Sequence, residues 1–210
     1  MIDTPKITEF WNWFASASGE MVRLYRANES AALAALLRDR VEAIVPGAAW
    51  EFGPGPGDTL SFVISPNGDR DRLRRTEQVV SLAPQLDGWT FAGAKPAKQW
   101  DFQFVMENAL GQTAPVNAAG WRYSLVAYGE RSFFDITIYA NRMPNMDDAA
   151  ARSAAGIVLT GALGEKQFIE KIGRIQVERG LGPRPPDRTG NITHLRQHIA
   201  SLCSAKVGDK

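Results

Sequence analysis

The order of the sequence patterns restricts the fold most, because one series of patterns occurs twice. Each series has two runs with strand character, then a helical segment, then a third strand-like run. The first series covers residues 50–94 and the second residues 121–178, and they begin with similar letters, WEF and WRY. The pattern predicts two ββαβ units. It indicates an α+β fold in which a mostly antiparallel sheet has its helices packed on one face.

Alternating apolar residues locate the strands, and residues three or four apart locate the helices. The clearest strands are residues 121–128 and 133–140, which GERS joins as a hairpin. Residues 59–65 show similar alternation, and 69–83 and 147–163 have helical patterns. Further strands are predicted at 50–52, 88–94, 100–106 and 173–178. The stretch ENALGQTAPVNAAG is predicted to be a loop.

Two helices are predicted over residues 5–45, before the first series. Thr4 and Pro5 suit the start of the first helix, and Gly19 is predicted to end or bend it. The second helix is predicted from Ser30 to Val45, where Pro46 and Gly47 stop it. These helices and both series are predicted to form a single domain over residues 1–180.

A proline-rich and glycine-rich connector over residues 181–191 separates this domain from a C-terminal helix over 192–204. The apolar residues of that helix form one stripe, at Ile192, Leu195, Ile199 and Leu202. The stripe can pack back on the sheet or onto a second copy of the chain. A homo-oligomer formed through the C-terminal helix is therefore one candidate assembly.

Composition excludes several functional classes. The 24 Lys and Arg against 23 Asp and Glu leave a formal charge of +1, which indicates neither nucleic acid nor an anionic membrane as a partner. No run reaches the roughly 18 apolar residues that a membrane span requires. Cys203 is the one cysteine and the N-terminus lacks the pattern of a secretion signal, so we expect a bacterial protein of the cytoplasm.

The glycine-rich stretch GPGPGD, residues 53–58, resembles a phosphate-binding loop only in composition. Such a loop precedes a helix, whose free N–H groups bind the anion, whereas GPGPGD ends in an aspartate and precedes a strand. We predict a hairpin connection. SPNGD, residues 65–69, precedes a helix, but Asp69 would repel an anion, so we predict a helix-capping turn there.

No residue pattern indicates a metal site, a cofactor or a catalytic nucleophile. His194 and His198 are four residues apart, but no glutamate lies between them and no third ligand is evident. A GxSxG sequence is absent, and Cys203 has the character of a packing residue. The arginines at 70, 72, 74 and 75 are interleaved with acidic residues, which is typical of a solvated helix face.

Lys95, Lys98 and Trp100 form the candidate binding site. Both lysines lie between Trp89 and Trp100, just beyond a predicted strand. Two cations and an indole at the end of a sheet can receive an anionic ligand or an acidic peptide. The structural alternative, in which both tryptophans belong to the core and the lysines face solvent, is favoured.

Three stretches resemble a family of uncharacterised bacterial proteins: WEFGPGPGDTLSFVISPNGD, LAPQLDGWTFAGAKPAKQW and LTGALGEKQFIEKIGRIQV. The resemblance covers most of the chain, and its most specific pieces are the AP..dGW.F..aKP run and the LGE turn. The second half is similar to ferredoxin-like domains, including the protein regulators of bacterial ribonuclease E. These resemblances imply an α+β fold with ferredoxin-like character and carry no activity to particular residues.

The leading hypothesis is a non-catalytic cytoplasmic protein that binds another macromolecule, as a regulator or an immunity-type partner does. The alternative is an enzyme or a binder of anionic small molecules with its pocket near Lys95, Lys98 and Trp100.

Overall fold

A computed structural model describes residues 4–107, 111, 113–129, 132–141, 143, 147–179 and 189–204. The chain divides into two compact units, Met1–Lys95 and Pro96–Lys210. Each unit combines helices with antiparallel and parallel strand pairs, which confirms the predicted α+β class. The boundary between the units falls after Lys95, and the assignment of residues 1–180 to a single domain stays a prediction.

The first unit begins with two helices and continues with a ββαβ arrangement. Strand β1 pairs antiparallel with β2, and β2 pairs parallel with β3, so the sheet order is β1-β2-β3. The third helix makes the crossover that two parallel strands require. The elements of this unit are α1 (Thr4–Arg26), α2 (Ser30–Ile44), β1 (Ala49–Pro54), β2 (Leu60–Ser65), α3 (Arg70–Ser81) and β3 (Trp89–Ala92).

Aromatic residues of α1 form the centre of the first core. The rings of Phe14 and Phe62 have centroids 4.9 Å apart, and both side chains are completely buried. The indole N–H of Trp11 donates a hydrogen bond to the carbonyl oxygen of Val79, 2.9 Å away. Helix α1 is therefore fixed against both β2 and α3.

Helix α1 does not end at Gly19, contrary to one of the two predicted alternatives. It continues to Arg26 and buries Met21 and Leu24 beyond the glycine. A glycine inside a helix costs about 1 kcal/mol, whereas burial of a large apolar side chain contributes about 1.5–3 kcal/mol. Burial of the two later side chains outweighs the cost of the glycine.

The second unit contains the second ββαβ arrangement, with additional strands and a terminal helix. Strand β6 pairs antiparallel with β7, β7 pairs parallel with β8, and β9 pairs with β6, which gives the order β8-β7-β6-β9. A single 3-10 turn, Ile192–His194, precedes the last helix. The elements are β4 (Gln103–Glu107), β5 (Thr113–Asn117), β6 (Arg122–Tyr128), β7 (Phe133–Ala140), α4 (Asp148–Leu163), α5 (Glu165–Lys171), β8 (Ile172–Arg179), β9 (Gly190–Asn191) and α6 (Leu195–Ser204).

The two predicted ββαβ series have the same pairing pattern in the structure. In each, the first two strands are antiparallel and the helix leads to a parallel third strand. The described strands form three separate sheets, because β4 and β5 pair only with each other there. Ferredoxin-like character is not confirmed.

Strand β5 lies where the sequence predicts a loop. Its pairing with β4 places Pro115 opposite Val105, and Val116 is only 2% exposed. The strand belongs to a two-stranded sheet, in which an edge position for proline is tolerated. Burial of Val116 therefore stabilises this strand. The sequence did not indicate a strand here, because proline and glycine residues lie in and near it.

The apolar stripe of the C-terminal helix lies in the core of the second unit. Ile192, Leu195 and Ile199 are buried there, together with Val158 of α4 and Ile138 of β7. Of the two predicted arrangements, the helix adopts the one that packs back on its own unit. Residues 181–188 of the predicted connector lie outside the described residues, as do residues 130 and 131 of the GERS turn.

Candidate functional site

Lys95 of the predicted site forms an ion pair in the first unit. Its Nζ lies 2.9 Å from Oε1 of Glu51, and its side chain is 29% exposed. This ion pair offsets the positive charge of Lys95, which the predicted anion site would use. Lys98 and Trp100 belong to the second unit.

Trp100 packs against α4. Its ring is stacked on that of Phe102, with centroids 5.0 Å apart. A Cβ atom added to Gly161 would lie 2.5 Å from Cζ2 of Trp100, so the indole lies directly against the helix backbone. The backbone N–H of Lys98 donates to the carbonyl oxygen of Gly161 at 2.8 Å, while its side chain is exposed. These contacts match the favoured structural alternative for Trp100. That Lys95, Lys98 and Trp100 receive a common ligand stays a prediction.

Both glycine-rich turns have the structures predicted for them. GPGPGD connects the antiparallel strands β1 and β2, and the N–H of Gly55 donates to the carbonyl oxygen of Thr59 at 2.8 Å. In SPNGD, Oδ1 of Asp69 accepts from the N–H of Arg72 at 2.7 Å and caps α3. This backbone hydrogen bond holds the pKa of Asp69 below its usual range.

His194 of the 3-10 turn and His198 of α6 do not share a ligand site in the described part of the chain. Nδ1 of His198 is hydrogen-bonded to the hydroxyl of Tyr123 at 2.7 Å, and His194 is exposed. Among the described residues, no three His, Cys, Asp or Glu side chains are grouped to hold a metal ion. The part of the chain that the structure describes also has no helix with the length and apolar character needed to cross a bilayer.

A cleft of about 260 Å³ between α4 and β8 has a positively charged lining; we call it the arginine cleft. The first turns of α4 contribute Asp148, Ala151 and Arg152, and β8 contributes residues 174–177 and 179. Three arginines against one aspartate give the lining a formal charge of +2. An anionic group is the ligand that this lining favours.

The three arginines differ in their partners. Arg179 forms an ion pair with Asp148, whose side chain is 83% exposed. No carboxylate pairs with the side chains of Arg152 or Arg174 among the described residues. Two guanidinium groups in the arginine cleft are therefore available to an external anion.

A bulge in β8 fixes the backbone at Arg174. Phe134 lies opposite Ile172 and Ile136 opposite Ile175, so β8 has one extra residue in this interval. The N–H of Arg174 donates to Oδ1 of Asp135 at 2.8 Å. A bulge changes the direction of nearby side chains, and this one occurs where Arg174 enters the cleft.

Asp135 also affects the exposed phenol of Tyr128 on β6. The negative charge of Asp135, and then its hydrogen bond to Tyr128, raise the pKa of the phenol, while the charge of Arg174 opposes the shift. Asp135 therefore connects the outer face of the sheet to the bulge beside the arginine cleft.

The sequence did not indicate the arginine cleft. Arg152 and Arg174 are far apart along the chain, and the crossover from β7 through α4 to β8 brings their elements together. The one available signal was the distribution of arginines along GRIQVER, residues 173–179. This stretch indicated a strand over residues 173–178, and nothing in it pointed to Arg152.

Comparisons with known proteins identify no relative. No protein-family model, curated protein or solved structure gives a significant match to the chain.

Proposed function

We propose that this is a non-catalytic cytoplasmic protein that binds an acidic segment of a protein partner in the arginine cleft. The proposal rests on the charge of the lining, in which Arg152 and Arg174 have no carboxylate partner among the described residues. A hydrogen bond between an arginine and a carboxylate is charge-assisted, and an exposed pair of this kind contributes about 0.2–1 kcal/mol.

The chemistry of the lining favours recognition over catalysis. A guanidinium group stays protonated throughout the physiological range, so it binds anions well and exchanges protons poorly. The cleft volume of about 260 Å³ is below that of most small-molecule pockets, and Arg152 and Arg174 are exposed. A shallow cleft with exposed cations suits the side chains of a protein partner.

The terminal helix α6 is not included in the proposed interface. Its apolar residues are already buried in the core of the second unit, at Leu195 and Ile199. A homo-oligomer through this helix stays a prediction.

Fluorescence anisotropy with a synthetic probe tests the proposal. The probe is a labelled peptide about seven residues long that alternates glutamate and valine, so that it can span the strand side of the cleft. We expect the wild-type protein to bind it, with an affinity that falls as salt is raised. The Arg152→Gln/Arg174→Gln double variant should bind at least about tenfold more weakly, which corresponds to about 1.4 kcal/mol.

Arg196→Gln is the matched control, because Arg196 is exposed on α6 in the same unit and is not part of the cleft lining. It should bind the probe as the wild type does. A peptide with lysine in place of glutamate should not bind. Equal binding by the wild type and the double variant would contradict the proposal, as would a complete absence of binding.

A further inference from the structure

The arginine cleft follows the free edge of β8. Successive side chains of a strand point to opposite faces of the sheet. The cleft nevertheless touches Arg174, Ile175, Gln176 and Val177, four consecutive residues of both orientations. A cavity lined by consecutive residues of the outermost strand is consistent with a position along the strand edge, where the backbone is exposed.

This edge has no strand partner in the described part of the chain. Strand β8 is the outermost strand of its sheet and pairs there with β7 alone. An edge strand presents a row of unpaired N–H and C=O groups that another extended segment can pair with. Six residues, 174–179, extend over about 20 Å, enough for a segment of five or six residues.

The first turns of α4 form the other wall of the cleft. Asp148, Ala151 and Arg152 recur at helical spacing and face the strand edge across the cavity. A segment placed there would have the strand edge on one side and the helix on the other. Its acidic side chains would lie beside the arginines of the lining.

We infer that the partner's acidic segment binds as an additional β-strand along β8, with its carboxylates directed to Arg152 and Arg174 of the cleft lining. This inference rests on the proposed function and specifies its geometry. Backbone hydrogen bonds to β8 supply affinity in this mode, and the arginines supply the preference for acidic side chains. A second copy of β8 would bind poorly at this edge. Its arginines would lie beside those of the first copy, and the like charges would repel each other.

Backbone methylation of the glutamate–valine probe tests the pairing. In a bound strand, the backbone N–H groups of every second residue face β8, and those of the residues between them face away. Two peptides are made, each N-methylated at one alternate set. We expect one methylated peptide to lose at least tenfold in affinity and the other to bind within about twofold of the unmodified probe.

The outcomes separate this inference from the proposed function. If the unmodified probe binds through Arg152 and Arg174 but both methylated peptides bind equally, the proposed function stands and strand addition is wrong. If the unmodified probe does not bind, both proposals fail. Equal loss of binding by both methylated peptides also overturns strand addition, because the two sets would not differ in their contacts.

Amide hydrogen exchange supplies a second measurement on the protein itself. We expect exchange to slow within residues 174–179 when the unmodified probe binds, and to do so at alternate positions. Unchanged exchange at all of these residues, with the probe bound, would overturn the inference. Residues of β1 serve as the internal reference, since they belong to the first unit.

Discussion

The hydroxyl of Tyr123 lies 2.7 Å from Nδ1 of His198, and this hydrogen bond joins β6 to α6. Tyr123 is only 1% exposed, and burial raises the pKa of its phenol to about 12. Gly190 of β9 lies against the same ring, because a Cβ there would be 2.7 Å from Cζ of Tyr123. One side chain therefore connects three elements of the second unit.

We expect alkaline pH to destabilise the protein through Tyr123. The unfolded phenol ionises near pH 10, whereas the folded pKa is about 12. Because the folded pKa is the higher one, the stabilising contribution is complete below about pH 10 and is lost as the pH rises through about 12. The full loss is about 2–3 kcal/mol.

Urea unfolding of the wild type and of Tyr123→Phe, at several pH values from 8 to 12, measures this loss. Other groups titrate in both proteins, so the difference between the two unfolding free energies isolates Tyr123. A difference that does not change with pH would show that the phenol does not contribute in this way.

Gly161→Ala should destabilise the second unit by about 1–3 kcal/mol, because the new methyl group would overlap the indole of Trp100. Gly156→Ala is the matched control on the same helix, since a Cβ there meets no atom within 4 Å. Replacing that glycine should stabilise α4 by up to about 1 kcal/mol. Urea unfolding of both variants measures the contrast, and equal effects would rule out the close contact with Trp100.

Asp69 is expected to contribute to acid sensitivity. Its folded pKa is lowered by the hydrogen bond from Arg72, so its stabilising contribution is present above the unfolded pKa near 4 and is lost as pH falls through the folded value. Asp69→Ala should therefore be less stable than the wild type at pH 7, with a smaller difference at pH 2. Asp69→Asn keeps a capping side chain without the titration, and it should remain close to the wild type at pH 7. A difference between Asp69→Ala and the wild type that is the same at both pH values would contradict this role.

Asp148→Asn should strengthen binding of the acidic probe. Asp148 is the acidic residue that the structure describes in the lining of the arginine cleft, and its ion pair with Arg179 offsets one of the three positive charges. The substitution removes that negative charge from the lining. Anisotropy titration at low salt measures the change, and weaker binding than that of the wild type would contradict the proposed charge preference.

Local patterns in the sequence were sufficient for most elements of the fold. Strand β7 was predicted at residues 133–140 and is observed at Phe133–Ala140, because its alternating aromatic and β-branched residues match a half-buried strand. The apolar stripe of α6 was also visible in the sequence, since helical periodicity indicates which face of a helix is buried. Gly19 and β5 are exceptions, because burial of Met21, Leu24 and Val116 in the folded units decided both.

The arginine cleft depends on tertiary structure that local patterns do not contain. Arg152 was part of an alanine-rich helix, and Arg174 was one charge on a terminal strand. Each position is typical of a solvated surface when considered alone. Trp100 shows the opposite case. Its place just after Lys95 and Lys98 suggested a ligand site, whereas its ring packs against Gly161 and Phe102.

The positions of the two cores along the chain impose an order on folding during synthesis. Every residue of the first core lies before Lys95, so that core can assemble while the ribosome is still translating the second half. The second core needs Ile192, Leu195 and Ile199. Until those residues emerge, the nascent second unit lacks the helix that covers Tyr123, and this is the interval in which a chaperone would find apolar surface to bind.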